Sequence, residues 1–415
     1  MQITRRAFLK GSGVAMVGFG ALPTFLTRAL AATPMPNKKI LVVLFQRGAA
    51  DGLNMVVPFG EPEYYRMRPS IAIPQPSNSR AGASIDLDGF FGLHPSLAPL
   101  APLYRERQLG IVHAAGSPDS TRSHFDAQDY MESGTPGKRS TTDGWLNRHL
   151  QAAPGEDVSP FRAVAVDQSL PLTLRGAAPA VAFRDARQFR VMSPSPVAAG
   201  GFESLYAQSA DPLLGAQGQE TFEAIEMLRR ANVSSYSPTK GANYPRGRLG
   251  QNLLQVAQLI KANVGLEAAF VESGGWDHHV NEGGSEGQLA NLLRDLGQGL
   301  AAFHRDLGDR MENIVVVTMS EFGRTARENG NRGTDHGHAN CMFVMGGPVA
   351  GGKVYGRWPG LKQEQLYEGR DLALTTDFRT VLGELIANHL GDTGLEKVFP
   401  GFANGPRSFL GLVRV

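Results

Sequence analysis

Lys39-Ile40-Leu41-Val42-Val43-Leu44-Phe45 runs apolar from its second residue to its last. A strand with one wet face alternates apolar and polar side chains. An unbroken apolar run of this length therefore predicts a strand buried on both faces, as in a parallel sheet covered by helices. Similar short runs recur at 109–114, 163–166, 267–271, 314–319 and 342–345. Between them the spacing changes. Leu289, Leu292, Leu293, Leu296, Leu300, Phe303 and Leu307 recur at intervals of three and four, which predicts an amphipathic helix. Leu253, Leu254, Val256, Ala257, Leu259 and Ile260 mark a second helix, and 97–107, 144–151 and 377–390 read as three more. Strand and helix in alternation predict an α/β fold, with a mainly parallel central sheet and helices on both faces. Residues 185–240 break the rhythm. They are rich in Ser, Pro, Ala and Gln, with one helical patch at 220–232, and read as an inserted, cap-like region.

The N-terminus stands apart from this pattern. Thr4-Arg5-Arg6-Ala7-Phe8-Leu9-Lys10 is a twin-arginine export motif, followed by a weakly apolar stretch over 11–26 and by Ala29-Leu30-Ala31, a small-residue cleavage site. Glycines and Pro23 interrupt the stretch, which is shorter than the roughly 20 residues a membrane span needs. Residues 1–31 are thus expected to be a twin-arginine signal peptide, with 32–415 forming the mature domain. Its expected partner is the Tat translocase, and its destination is the periplasm or the extracellular space, with no stable membrane span after cleavage. The signal carries Arg5, Arg6, Lys10 and Arg28 and no acid, so its removal takes the formal charge from +2 to −2. That balance offers nothing to nucleic acid or an anionic membrane. Cys341 is the single cysteine, which excludes an internal disulfide and suits export of an already folded chain. Its apolar surroundings, Cys341-Met342-Phe343-Val344-Met345, predict burial.

Chemistry concentrates where strands end, which is where open α/β sheets keep their sites. Two runs hold four of the ten histidines: Gly274-Gly275-Trp276-Asp277-His278-His279 and Gly333-Thr334-Asp335-His336-Gly337-His338. Imidazole beside carboxylate suits a borderline divalent metal, zinc first, with manganese, calcium and magnesium as alternatives. In extended chain, residues two apart face the same way, so Asp277 pairs with His279 and His336 with His338. Asp335 is either a ligand or the orienter of a histidine. In Ser320-Glu321-Phe322-Gly323-Arg324-Thr325, Glu321 is a candidate ligand and Arg324 a candidate holder of an oxyanion; the alternative is a salt bridge between them. Asp51, on a glycine-flanked turn after the first strand, is a further candidate ligand or a turn former. Ser123 begins a helix and is the first candidate nucleophile, with Thr121 second; the alternative is an ordinary N-cap with Asp126 completing a capping box. His124 and Arg122 are candidates to bind an anionic substrate. His94, His113, His149, His304 and His389 lack clustered partners and read as structural.

The order of these motifs resembles the alkaline phosphatase and sulfatase superfamily. It runs from a strand-end Asp51, through a hydroxyl at a helix start and Asp277-x-His279, to Ser320-Glu321-Phe322-Gly323 and a late histidine loop. More closely, Gly-Gly-Trp-Asp-x-His, Ser-Glu-Phe-Gly-Arg-Thr and Asp-His-Gly resemble the exported domain-of-unknown-function 1501 family, over essentially the whole mature chain. The superfamily resemblance implies an alkaline phosphatase-like fold and one or two metal ions. Asp277, His279 and His338 would hold one; Asp51, Ser123 and Glu321 would hold the other. Ser123 would attack an anionic phosphate or sulfate ester. The sequence departs from the superfamily at Phe322, where a metal ligand usually stands, so Asp335 or His336 would have to substitute. It also lacks the sulfatase Cys-x-Pro-Ser-Arg motif. The expectation is an exported metal-dependent ester hydrolase. A non-catalytic metal-binding protein serving an envelope partner is the second expectation, and a phosphomutase-like isomerase the third.

Overall fold

The computed structural model describes residues 38–152, 159–185, 236–403 and 405–414. The signal segment and most of the cap-like stretch, including its helical patch, lie outside them. Among the described residues, twelve strands follow in chain order: β1 (Ile40–Gln46), β2 (Val56–Val57), β3 (Ile85–Asp86), β4 (Gly92–Leu93), β5 (Leu109–Gly116), β6 (Ala163–Val166), β7 (Val181–Phe183), β8 (Ala268–Ser273), β9 (Ile314–Ser320), β10 (Asn340–Gly346), β11 (Val354–Tyr355) and β12 (Thr376–Asp377). Nine of them make one sheet in the order β11-β5-β10-β9-β1-β8-β6-β7, with β12 also on β5, while β2, β4 and β3 form a small separate ribbon.

The main sheet is parallel except for β10, which runs antiparallel to both β5 and β9. The strand predicted at 39–45 is the central one. β1 pairs in parallel with β8 through Leu41–Ala268 to Gln46–Ser273, and with β9 through Ile40–Ile314 to Gln46–Ser320. Its side chains divide by parity. Ile40, Val42 and Leu44 join one apolar core, and Leu41, Val43 and Phe45 the other. Two-sided burial is thus the reason the run has no polar gap. Each fully buried side chain of this size contributes about 1.5–3 kcal/mol.

Helices cover both faces. We label α1 (His124–Ser133), α2 (Trp145–Ala152), α3 (Arg248–Lys261), α4 (Gln288–Leu307) and α5 (Phe378–Glu384). Leu253 and Val256 of α3, with Leu293, Leu296 and Leu300 of α4, pack on the first core. Trp145 and Leu146 of α2, with Phe378 and Val381 of α5, pack on the second. The helix expected at 97–107 is instead a 3₁₀ segment, Pro95–Leu100, running into a short helix, Ala101–Arg105, because Pro99 removes an amide from the first turn. The helix expected at 377–390 is α5 followed by a π turn over Leu385–His389. Cys341 is buried in β10, and burial pushes its thiol up. The five unclustered histidines bond to distant parts of the chain: His94 to Gly284 O, His113 to Val56 O, His149 to Asp392, His304 to Gln108 and His389 to Ile40 O.

Because β10 is reversed, its first residue lies at the edge where β1, β5, β8 and β9 end. Four loops therefore meet on one rim: those after β1, β5 and β8, and the one that links β9 to β10. Glycine lets them touch. Gly48 has φ +117°, and a Cβ there would stand 2.7 Å from Asp277 N; one on Gly323 would stand 1.9 Å from Ala339 O.

Candidate metal centre

Asp277 is the hub. Its Oδ1 lies 3.0 Å from His279 Nε2 and 3.2 Å from His336 Nε2, and its Oδ2 3.4 Å from His124 Nε2. His279 Nε2 and His336 Nε2 are themselves 3.0 Å apart. Ligand atoms around a tetrahedral zinc at about 2.0–2.1 Å stand about 3.3 Å from one another. The separations from Asp277 to the three rings, and from His279 to His336, are of that size.

The other ring nitrogens decide what the first ones carry. His124 Nδ1 meets Glu321 Oε1 at 2.8 Å, His279 Nδ1 meets Asp335 Oδ1 at 3.0 Å, and His336 Nδ1 meets the Arg122 carbonyl at 2.8 Å. The carbonyl can only accept. Burial works to raise both carboxyls, but the bonds from His124 and Gln128 to Glu321, and from Asn329 and His279 to Asp335, hold them below the usual carboxylate range. All three Nδ1 atoms must therefore donate, and in each neutral ring Nε2 is left with a bare lone pair. Three lone pairs and a carboxylate aimed at one spot repel unless a cation lies between them. His124 Nε2 is buried with no hydrogen-bond partner, as such a site requires. A carboxylate or carbonyl behind each imidazole is the usual outer support of metal-bound histidine.

Each support is itself anchored. Glu321 is fully buried and also accepts from Gly48 N at 2.8 Å and Gln128 Nε2 at 2.9 Å. Gln128 lies one helical turn after His124 on α1, on the same face. The Phe322 ring stacks on His124 at 5.1 Å and packs against His336 at 5.0 Å. Burial and the Glu321 bond act in opposite directions on His124. The bond is the larger, so the ring's pKa is raised, whereas burial lowers that of His336.

Arg324 is almost wholly buried and fully engaged. It donates to Asp277 Oδ1 at 2.6 Å, to Thr334 Oγ1 at 3.0 Å and to the Thr334 carbonyl. Each of its three nitrogens thus has a partner, and through Nη1 it fixes the hub carboxylate. Despite partial burial, Arg324 holds Asp277 below the ordinary carboxylate range.

The remaining candidates lie elsewhere. Asp51 is buried against Arg68, which donates to both its oxygens, so its lone pairs do not reach the histidines. The neighbouring Glu282 is raised well above the ordinary value by burial and by Asp51; it accepts from Thr334 Oγ1 at 2.7 Å. His338 stacks on Tyr367 at 4.3 Å, away from His336. Alternation would pair these two only in an extended ribbon. This run makes a single isolated bridge, Arg324–His336, and its Gly337 is pressed against the Arg324 backbone. Among the described residues, one group has ligand atoms that all lie within 4.8 Å of one another and could hold a metal: His124, Asp277 and His336.

Ser123 occupies the N-cap position of α1, yet its side chain makes no cap hydrogen bond, and Asp126 pairs with Arg139 at 2.6 Å instead of closing a capping box. Thr121 Oγ1 is engaged by the Ser123 amide at 3.2 Å. Arg122 is paired with Asp371 and Glu368. Sequence reasoning did not place His124 with Asp277 and His336, nor Arg68, Gln128, Thr334 and Glu282 behind the candidate residues. Only the helical spacing of His124 and Gln128 was there to be read. A cleft beside Asp335 is lined by Arg327, Glu328, Asn329 and Arg370.

The profile of a family described as protein of unknown function (DUF1501) matches residues 94–399. No curated protein matches the sequence. Among solved structures, the chain is similar to the lipoteichoic acid synthase LtaP of Listeria monocytogenes (9% identity, 86% of this chain and 74% of that one, TM-score 0.36). It is similar also to the C-terminal periplasmic domain of EcEptC from Escherichia coli, in complex with Zn (10%, 75% and 73%, 0.36), and to alkaline phosphatase from the Antarctic bacterium TAB5 (9%, 76% and 93%, 0.30). Among the described residues no helix is long and apolar enough to cross a membrane.

Proposed function

The chain belongs to the DUF1501 family, and we propose that it is a metal-dependent hydrolase of phosphate or related sulfate and diester substrates. It would hold one divalent ion through His124, Asp277, His279 and His336. The observation that carries this reading is the convergence of three Nε2 lone pairs on one carboxylate, each ring held from behind by an acceptor. Three imidazoles favour zinc over calcium or magnesium. Such an ion would supply Lewis-acid polarisation of an ester oxygen. Ser123, beside His124 and free of capping duty, is the proposed nucleophile. Its Oγ would bond to phosphorus or sulfur as the alcohol leaves, and water would later release the serine. The α1 amides would favour the anionic ester at the helix start.

The test is elemental analysis of protein purified without chelators. We expect one divalent ion per chain. In Asp277→Ala it is lost, with an affinity drop beyond the roughly 10–100-fold that removal of an outer support costs. A wild type still metal-free after incubation with zinc, manganese and calcium sinks the reading.

Export by the twin-arginine route to the periplasm or beyond is also proposed, supported by Arg5-Arg6 and the absence of acid around it. Replacing both arginines by lysine should hold the protein in the cytoplasm. Unchanged delivery would rule the route out.

A further inference from the structure

We infer that Arg122, clamped by the buried carboxylate of Asp371, is the positioning residue that fixes the His336 ring and the start of α1 together. Its two ends do different work. The backbone carbonyl accepts from His336 Nδ1 at 2.8 Å. The guanidinium donates to Asp371 Oδ2 through Nε at 3.1 Å and Nη2 at 2.6 Å, and to Glu368 at 2.7 Å. Asp371 is fully buried, whereas the Glu368 side chain is 52% exposed, so Asp371 is the anchor and Glu368 a wet accessory.

The anchor belongs to the same frame as the ring it governs. Asp371 bridges to the Thr325 backbone, and the adjacent Arg324 bridges to His336. Arg370, next to Asp371, donates to the His336 carbonyl at 2.9 Å. Residues 122, 336 and 371 are thereby tied in a closed loop of contacts. Residue 122 itself lies in irregular chain between β5 and α1, where no ladder fixes its peptide plane. The side-chain clamp supplies that constraint. It holds the carbonyl toward Nδ1, which forces the proton there and leaves Nε2 bare toward Asp277. The next two residues are Ser123 and His124, so one ion pair also sets where the proposed nucleophile and a further ligand begin their helix. The metal part of this inference rests on the function proposed above; the tautomer part does not.

Two readouts test it. Imidazole nitrogen NMR on metal-free protein should show His336 as a single Nδ1–H tautomer in the wild type and as a mixture in Arg122→Met and Asp371→Asn. Cobalt titration should show affinity about 10–100-fold weaker in both variants, with an altered visible spectrum. Arg122→Lys should recover part of the loss, and Glu368→Gln should match the wild type. An Arg122→Met or Asp371→Asn protein that keeps the single tautomer and wild-type cobalt affinity overturns the inference, even if it melts earlier. So does a wild-type His336 protonated on Nε2. A wild type that binds no cobalt but loses its tautomer on Arg122→Met upholds the clamp and removes only the metal reading.

Discussion

Ser123→Ala is expected to cut turnover of phosphate or sulfate esters by roughly 10³-fold or more while the bound metal stays at its wild-type level. The two effects separate because Ser123 makes no contact that supports a ligand: its side chain leaves the helix amides unbonded, and each histidine is held by a different group. Loss of helix stability should be small for the same reason, since no cap hydrogen bond is broken. Thr121 is a poor substitute, with its hydroxyl oxygen already accepting the Ser123 amide. Single-turnover assays with a chromogenic ester, alongside metal analysis of the same sample, decide the matter. Undiminished turnover would remove Ser123 from the mechanism. A wild type that binds metal yet turns over no ester would favour a metal-binding envelope protein.

Arg68→Met should lower stability by about 3–5 kcal/mol, because it leaves a buried carboxylate without its cation. Arg68 uses all five donors: two on Asp51, and one each on Asn54 Oδ1 at 2.9 Å, the Ala326 carbonyl at 2.9 Å and the Thr325 carbonyl at 2.8 Å. Methionine fills similar space and satisfies none of them. Burial works to raise Asp51, but Arg68 holds it below the ordinary carboxylate range. Its folded pKa is thus depressed, so the pair's stabilisation is present at neutral pH and is lost as pH falls below that range. Chemical denaturation at neutral pH measures the loss. A change under about 1 kcal/mol would mean that the site relaxes or that water enters to solvate Asp51.

The fold was legible because it depends on local pattern. The run at 39–45 carries the signature of a strand covered on both sides, and the leucines of 289–307 carry the spacing of a helix. The α4 boundaries observed, Gln288–Leu307, differ from that reading by one residue. The π turn after α5 and the 3₁₀ segment before Ala101 were not legible, since both depend on how a helix end meets its neighbours. The site divides similarly. Asp277 and His279 share the hub through two-residue spacing, which sequence displays. The separation of His336 from His338 depends on a crossing of two loops. The capture of Asp51 depends on Arg68, a lone arginine with nothing in its neighbourhood to mark it. Long-range charge pairing leaves no periodic trace.

The central position of β1 has a consequence for how the chain is made. Its partners, β8 and β9, begin about 220 and 270 residues downstream. At about 5–20 residues per second of synthesis, Ile40–Gln46 waits roughly 10–45 s before either exists. During that interval this apolar strand has both hydrogen-bonding edges and both faces open. A topology with its first strand in the middle is slow to close and exposed to aggregation while it does. The segment that makes the finished sheet secure is therefore the one a holding chaperone would meet first on the nascent chain.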